Sequence, residues 1–348
     1  MKRTYLDWNA TAPLRNEARA AMGAAMDVLG NPSSVHFEGR AAKALIEKAR
    51  AQVATAVGAD GADVVFTSSA TEAAALAMTG GDFHCGAVEH DAVAAWCAAD
   101  LPVDGDGRVM VTDPAISAVQ VANSETGVLQ DLPEGLALTD ATQAFGKIPF
   151  AFNWCGAEMA LISAHKLGGP KGIGALVVKR GSDLNAQIKG GGQEMGRRAG
   201  TENIIGIAGF GAAAEAAAKD LAAGIWAEVA EIRKILEISL AESEKDTIFV
   251  GNGVARLPNT SCFAVPGWKG ETQVMQMDLA GFAVSAGSAC SSGKVRASKV
   301  LLAMGFDEQT AAGAIRVSIG PQTTKDDVQR FAKVWGALAA KFKARQGV

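Results

Sequence analysis

The chain has 348 residues, 49% of them hydrophobic and 20% charged, enough to bury a sizeable core in one large or two ordinary domains. Its formal net charge is −4 and no block of like charge stands out, which excludes the basic footprint of a nucleic-acid binder. Aromatic residues make up only 6%, and alanine and glycine abound, a composition that favours close helix–sheet packing over a β-sandwich.

In chain order, "MKRTYLDWNATAPLR" has no apolar run behind its basic residues, so no secretory signal is expected. "NPSSVHFEGRAAKALIEKARAQVATAVG" reads as loop, helix, stop. Pro32 and the serines mark the entry, Ala42, Leu45, Ile46, Ala49 and Val53 recur at helical spacing, and Gly58 suits the C-cap. "DVVFTSSATEAAALAM" gives a β-branched strand, a polar turn and a helix. The same grammar recurs at "ALTDATQAFGK" and, with a hairpin-like continuation, at "EMALISAHKLGGPKGIGALVVKRG". Strands alternating with helices indicate an α/β fold with a mainly parallel sheet. From about residue 202 to 245 the pattern is a long alanine-rich helix or helix pair. Its most apolar window, "NIIGIAGFGAAAEAAAK", is broken by Glu215 and too short for a membrane span. Strands at "TIFVGN", "TSCFAVPG" and "GFAVSAGSAC" and helices at "ASKVLLAMG" and "DVQRFAKVWGALAAKFKA" then predict a smaller α+β domain.

The five cysteines are Cys85, Cys97, Cys155, Cys262 and Cys290, an odd number without a CxxC pair, so neither a disulfide framework nor a metal site is expected. Cys97 and Cys155, next to Trp96 and Trp154, read as small buried hydrophobes. Cys290 differs: "SAGSACSSGK" sets it among serines, glycines and alanines with nothing bulky to pack against.

Other residues carry chemistry with two readings each. Lys166, at the end of an apolar strand and before glycines, suits a Schiff base or is an ordinary turn lysine. Asp140, with Gln143 three residues on, suits a buried partner for a cation such as a protonated pyridine nitrogen, or caps the next helix. Thr71 stands where a helix begins, an anion site or a plain cap. His90 can stack on a flat ring and shuttle protons, or be structural. Arg316, in the strand-like "GAIRVSIG", clamps a carboxylate or closes an internal salt bridge.

The motifs "SAHKLGGPKGIGAL", "DATQAFGKIP", "EHDAV", "GGGQEMGRRAGTEN", "GNPSSVH" and "SAGSACSSG", in that identity and from "YLDWNATAPL" to "IRVSIG", closely resemble the cysteine desulfurases, pyridoxal-phosphate enzymes of the class V aminotransferase family. The thiol loop is similar to the housekeeping and nitrogen-fixation type. The resemblance implies a type I aminotransferase fold, with a large cofactor-binding domain over residues 14–222 and a small domain from 1–13 and 223–348. It implies that Lys166 forms the Schiff base with pyridoxal 5'-phosphate, that Asp140 pairs with the ring nitrogen, and that Gln143 bonds the phenolic oxygen. His90 stacks on the ring, Thr71, Ser163 and His165 hold the phosphate, and Thr201 reaches the phosphate of a neighbouring subunit in a homodimer. Asn123 in "VANSETG" and Arg316 bind the carboxylate of L-cysteine. Cys290 is the nucleophile that takes sulfur as a persulfide while L-alanine leaves, with Lys294 and Arg296 as cations near it in sequence. The sulfur passes to an acceptor or scaffold protein in iron–sulfur cluster assembly or thiolation. Selenocysteine lyase or another class V activity is the alternative. No metal, nucleic acid or membrane is implied, and a cytoplasmic location is expected. Three departures stand out: "KVRAS" replaces the family's Leu-Glu-Pro-Ser, the stretch between His90 and Asn123 is compressed, and the family's C-terminal extension is largely missing.

Overall fold

The computed structural model describes residues 3–287 and 297–346. The β-branched run Asp63–Thr67 forms one edge of a seven-stranded sheet. Across the sheet the order continues with Gly174–Val178, Ala157–Ser163, Leu136–Asp140, Ser117–Gln120, Phe83–Gly86 and Cys97–Leu101. Only Gly174–Val178 runs antiparallel to its neighbours; the remaining pairings are parallel. Gln120 and Asp140 are register partners, and both end their strands, as Ser163 does. The carboxyl edge of the parallel strands therefore gathers these polar residues, the place where open α/β sheets bind ligands.

Both faces of the sheet are covered, so its central strands are apolar throughout. Phe66, Ile162 and Val177 join Ile46, Val53 and Phe210 from the helices Phe37–Ala56 and Ile204–Ala222 in one core. Val65, Leu161 and Leu176, pointing the other way, pack with Leu76 and Met78 of the helix Ala70–Met78. The alanine-rich helices come unusually close: a Cβ on Gly211 would lie 2.7 Å from the Ala49 backbone.

The stretch read as a helix or pair is a pair. Ile204–Ala222 ends at Gly224, left-handed at φ 78°, and Ile225–Ser243 follows. The second helix packs on a separate core, where an antiparallel sheet runs Ser285–Ala286, Ala314–Ser318, Thr260–Ala264, Ile248–Phe249. Trp268, Phe263, Phe282, Phe331 and Trp335 fill that core, and Trp335 Nε1 donates to Gln273 Oε1 at 2.9 Å. The N-terminal strand Thr4–Tyr5 pairs with Phe282–Ala283 of this region before the chain crosses to the large sheet.

Two local expectations fail. No helix follows Asp140: residues 142–147 form successive turns, because Gly146 adopts φ 77° and its Cα stands against Ala217, where a Cβ would approach to 2.9 Å. Cys97 and Cys155 are only half-buried, unlike Cys85 and Cys262. Cys97 lies on the edge strand, where one side has no neighbour, and Trp154 is 89% exposed and shields nothing. Among the described residues no helix is long and apolar enough to cross a membrane, and no cluster of His, Cys, Asp and Glu suits a metal ion.

Candidate active site

A cavity of about 270 Å³ opens at the carboxyl edge of the large sheet, and Thr71, His90, Asp140, Gln143, Ser163, His165 and Lys166 all line it. Residues far apart in the chain thus meet in one place.

Each wall has a local cause. Ser69 caps the helix Ala70–Met78 by accepting from Glu72 N at 3.2 Å, and the Glu72 carboxylate reaches back to Ser68 N at 2.8 Å. The helix start, with Thr71, is thereby fixed at the cavity. Gly174 permits this closeness, since a Cβ there would meet the Ser69 carbonyl carbon at 2.7 Å and Ala70 N at 2.9 Å. Asp140 Oδ1 accepts from Thr142 N at 2.8 Å, a turn that holds the carboxylate at the strand end. His90 Nδ1 accepts from Ala92 N at 3.1 Å at the start of the short helix Asp91–Ala94.

Lys166 sits in a tight turn after Ala157–Ser163. Its Nζ donates to the backbone oxygens of Asn9 at 2.6 Å and Ala10 at 2.9 Å. The N-terminal segment is tied down beside it, through Ala12 N to His165 O and Arg15 N to Gly168 O. Beneath lies Lys147, 1% exposed, whose Nζ donates to Gln143 Oε1 at 2.7 Å and Asn9 Oδ1 at 3.1 Å. Burial, then the charges of Lys166 and Arg316, pushes its ammonium well below the usual lysine range. His165 is driven down to about 4 by burial first and by Lys166, Lys171 and Lys147 after it, so its ring is neutral at physiological pH.

Three expected members stand elsewhere. Asn123 is buried but does not line the cavity. Its Oδ1 accepts from Glu125 N and Thr126 N and its Nδ2 donates to Val88 O, so the side chain is committed to the turn; Ser124 is the member that faces the cavity. Arg316 is held by Asp7 at 2.7 Å and by Ser124 O at 2.9 Å, with its Nε buried and unbonded. Thr201 is exposed and lines a second cavity of about 210 Å³ with Thr67, Ser68 and Arg198. Cys290, Lys294 and Arg296 lie outside the described residues. The ends of their segment are placed: Ser285–Ala286 pairs with Arg316 and Ile315, and Ser298 Oγ donates to Glu125 Oε2 at 2.6 Å.

Sequence reasoning missed Asn9, Lys147, Ser124 and Glu125. Lys147 stood within "DATQAFGK", four residues after Gln143.

The donor set fits pyridoxal phosphate. An amine, an acid at the strand end, and a helix start with hydroxyls and a neutral imidazole face one cavity. His165 Nδ1 and Thr142 Oγ1 are buried there without a partner among the described residues, two polar atoms that a bound polar group would satisfy.

Comparison with known proteins agrees. The aminotransferase class-V family pattern matches residues 4–96 and 106–331. A cysteine desulfurase of Cereibacter sphaeroides is 37% identical, covering 99% of this chain and 97% of that protein. The X-ray structure of a NifS-like protein from Rickettsia africae superposes with a TM-score of 0.87 at 32% identity, over 97% of this chain and 99% of the other. The structure of SspA in complex with cysteine superposes with a TM-score of 0.74 at 26% identity, over 92% of this chain and 99% of that one. Fold, cavity and relatives thus meet in one conclusion: the chain belongs to the pyridoxal-phosphate-dependent class V aminotransferase family.

Proposed function

We propose that the protein is an L-cysteine desulfurase, giving L-alanine and a persulfide on Cys290. The observation that carries this is the convergence of Lys166, Asp140, Gln143, His90, Thr71, Ser163 and His165 on one cavity, in a chain whose relatives are named cysteine desulfurases.

When bound, pyridoxal phosphate supplies an electron sink that labilises the substrate Cα proton and makes its sulfur electrophilic. The rest falls to the chain. Lys166 anchors the cofactor through its amine and moves the Cα proton. Asp140 keeps the ring nitrogen protonated by pairing with it. Gln143 donates to the phenolic oxygen. The start of the helix Ala70–Met78, Thr71, Ser163 and neutral His165 hold the phosphate. His90 covers the ring and is placed for proton transfer. Arg316 and the Asn123–Ser124 turn receive the substrate carboxylate. The Cys290 thiolate attacks the substrate sulfur; an S–S bond forms, the C–S bond breaks with its electron pair left on carbon, and a proton completes alanine.

The exposed position of Thr201, and the apolar Leu29, Val35 and Phe37 on the surface, support a homodimer in which Thr201 completes the partner's phosphate site. Two of the hydrophobic cores support division into 14–222 and 1–13 with 223–348, and a third, joining Val88 to Val250, Cys262 and Leu301, seats one part on the other. An acceptor protein in iron–sulfur assembly or thiolation, and a cytoplasmic setting, complete the reading.

The test is product analysis. With L-cysteine, the protein should release alanine, and Cys290→Ala should keep the cofactor's yellow absorbance but yield no sulfide. Full sulfide release from Cys290→Ala refutes the persulfide route.

A further inference from the structure

Lys147 is a buried cation-bearing side chain that no ion pair explains. It is 1% exposed, and both of its hydrogen bonds go to amide oxygens, Gln143 Oε1 at 2.7 Å and Asn9 Oδ1 at 3.1 Å. Among the described residues no carboxylate pairs with it. The charges that act on it most, Lys166 and Arg316, are of its own sign, and Asp7 is committed to Arg316. A lysine there is costly as a charge and poor as packing, so its position calls for a task.

The neighbours define the task. Both atoms facing Nζ are oxygens, so Nζ donates whether it carries three protons or two. On the other side of the same amide, Gln143 Nε2 donates to Asn9 O at 3.0 Å, the carbonyl that also receives Lys166 Nζ. One end of the Gln143 amide is claimed by a donor and the other by an acceptor, so the group cannot turn over. The remaining Nε2 hydrogen is left for the cavity that Gln143 lines. Asn9 is the hub of the arrangement: its own Oδ1 also receives Asn259 Nδ2 at 3.0 Å, and its Nδ2 donates to Thr260 Oγ1 at 2.8 Å.

We infer that Lys147 is a positioning residue: by donating to Gln143 Oε1 it makes Gln143 present an N–H, never a carbonyl, to the anionic ring oxygen of bound pyridoxal phosphate. Without that donor the amide is free to reverse and set its oxygen against the ring oxygen, a repulsive contact. The inference rests on the cofactor reading above.

The experiment reads the bound chromophore, not turnover. The visible absorbance of the holoenzyme is titrated with pH. An N–H held on the ring oxygen favours loss of the chromophore's proton, so Lys147→Met should raise the midpoint by about one unit with cofactor still bound stoichiometrically. Lys147→Arg, which keeps a donor, should hold the wild-type midpoint. Because Lys147 acts through Gln143, Lys147→Met should add nothing in a Gln143→Ala background. If the methionine variant does not fold, Lys147→Leu, which also lacks a donor, is read in its place. An unshifted midpoint in the neutral variant, a shift in Lys147→Arg as large as in Lys147→Met, or additive shifts in the double variant overturns the inference. Wild-type protein that shows no visible cofactor band refutes the cofactor reading itself, so the two failures are distinct.

Discussion

Removing the charge from Glu125 should flatten part of the protein's pH dependence of stability. Its Oε2 accepts from Ser298 Oγ at 2.6 Å, and a Cβ on Gly287 would lie 3.1 Å from the same oxygen, so this carboxyl joins both ends of the segment that carries Cys290. Part of the residue remains open, but the carboxyl itself is enclosed, and burial pushes it from 4.5 up to about 7; Ser298 and Arg316 pull it back, Asp91 adds to the rise, and His90 opposes it. Between those values the folded protein keeps a proton that the unfolded chain has released, so stability falls as pH rises through this window. The rise from 4.5 to about 7, at about 1.4 kcal/mol per pH unit, gives a total of about 3.5 kcal/mol, of which about 2–2.5 is lost between roughly pH 5 and 8. Glu125→Gln keeps an acceptor for Ser298 and has no proton to lose. Urea titrations of both proteins at the two pH values measure the effect. Relative to wild type, the glutamine variant should gain about 2 kcal/mol on going to the higher pH. An unchanged difference between the two proteins would mean that Glu125 is ionised when folded, and the burial argument would fall.

Three further outcomes follow from the same geometry. Asp140→Asn should leave the fold intact, by circular dichroism, and lower alanine release at least about a hundredfold, because the ring nitrogen loses its charged partner. Gly174→Val should push the start of the helix Ala70–Met78 off the cavity, costing about 1–3 kcal/mol of stability in denaturation and weakening cofactor retention on dialysis. Asp7→Asn leaves Arg316, 8% exposed at its side chain, without its charge partner and should cost about 3 kcal/mol in thermal melts; a variant as stable as wild type contradicts the pairing.

The sheet was legible because strands such as Asp63–Thr67 and Ala157–Ser163 are short, largely apolar runs that end in polar residues, and because parallel strands present those ends together. Lys166, Asp140, Gln143, Thr71, Ser163, His165 and His90 therefore came out on one cavity. Other parts had no side-chain signature. Asn9 meets Lys166 from 157 positions away through a main-chain oxygen, which any residue could supply. Lysine is usually a surface residue, so Lys147 gave little sign of burial. Asn123 carried the expected chemistry in its type, but its side chain is spent inside its turn and the next residue faces the cavity. In place of the helix expected after Asp140 the chain makes turns in which Gly146 is left-handed and packed where a Cβ would meet Ala217, a tertiary fit. For Arg316 the internal salt bridge is the reading met, with Asp7 at 2.7 Å.

The measurement that bears most directly on the central claim is mass spectrometry of the proteolysed holoenzyme after brief exposure to L-cysteine and alkylation of thiols. The peptide containing Cys290 should gain one sulfur atom, reversibly with a reductant, and should do so in step with alanine release. Alanine formed with no added sulfur on that peptide, or with the sulfur on Cys85, Cys97, Cys155 or Cys262 instead, would contradict the account.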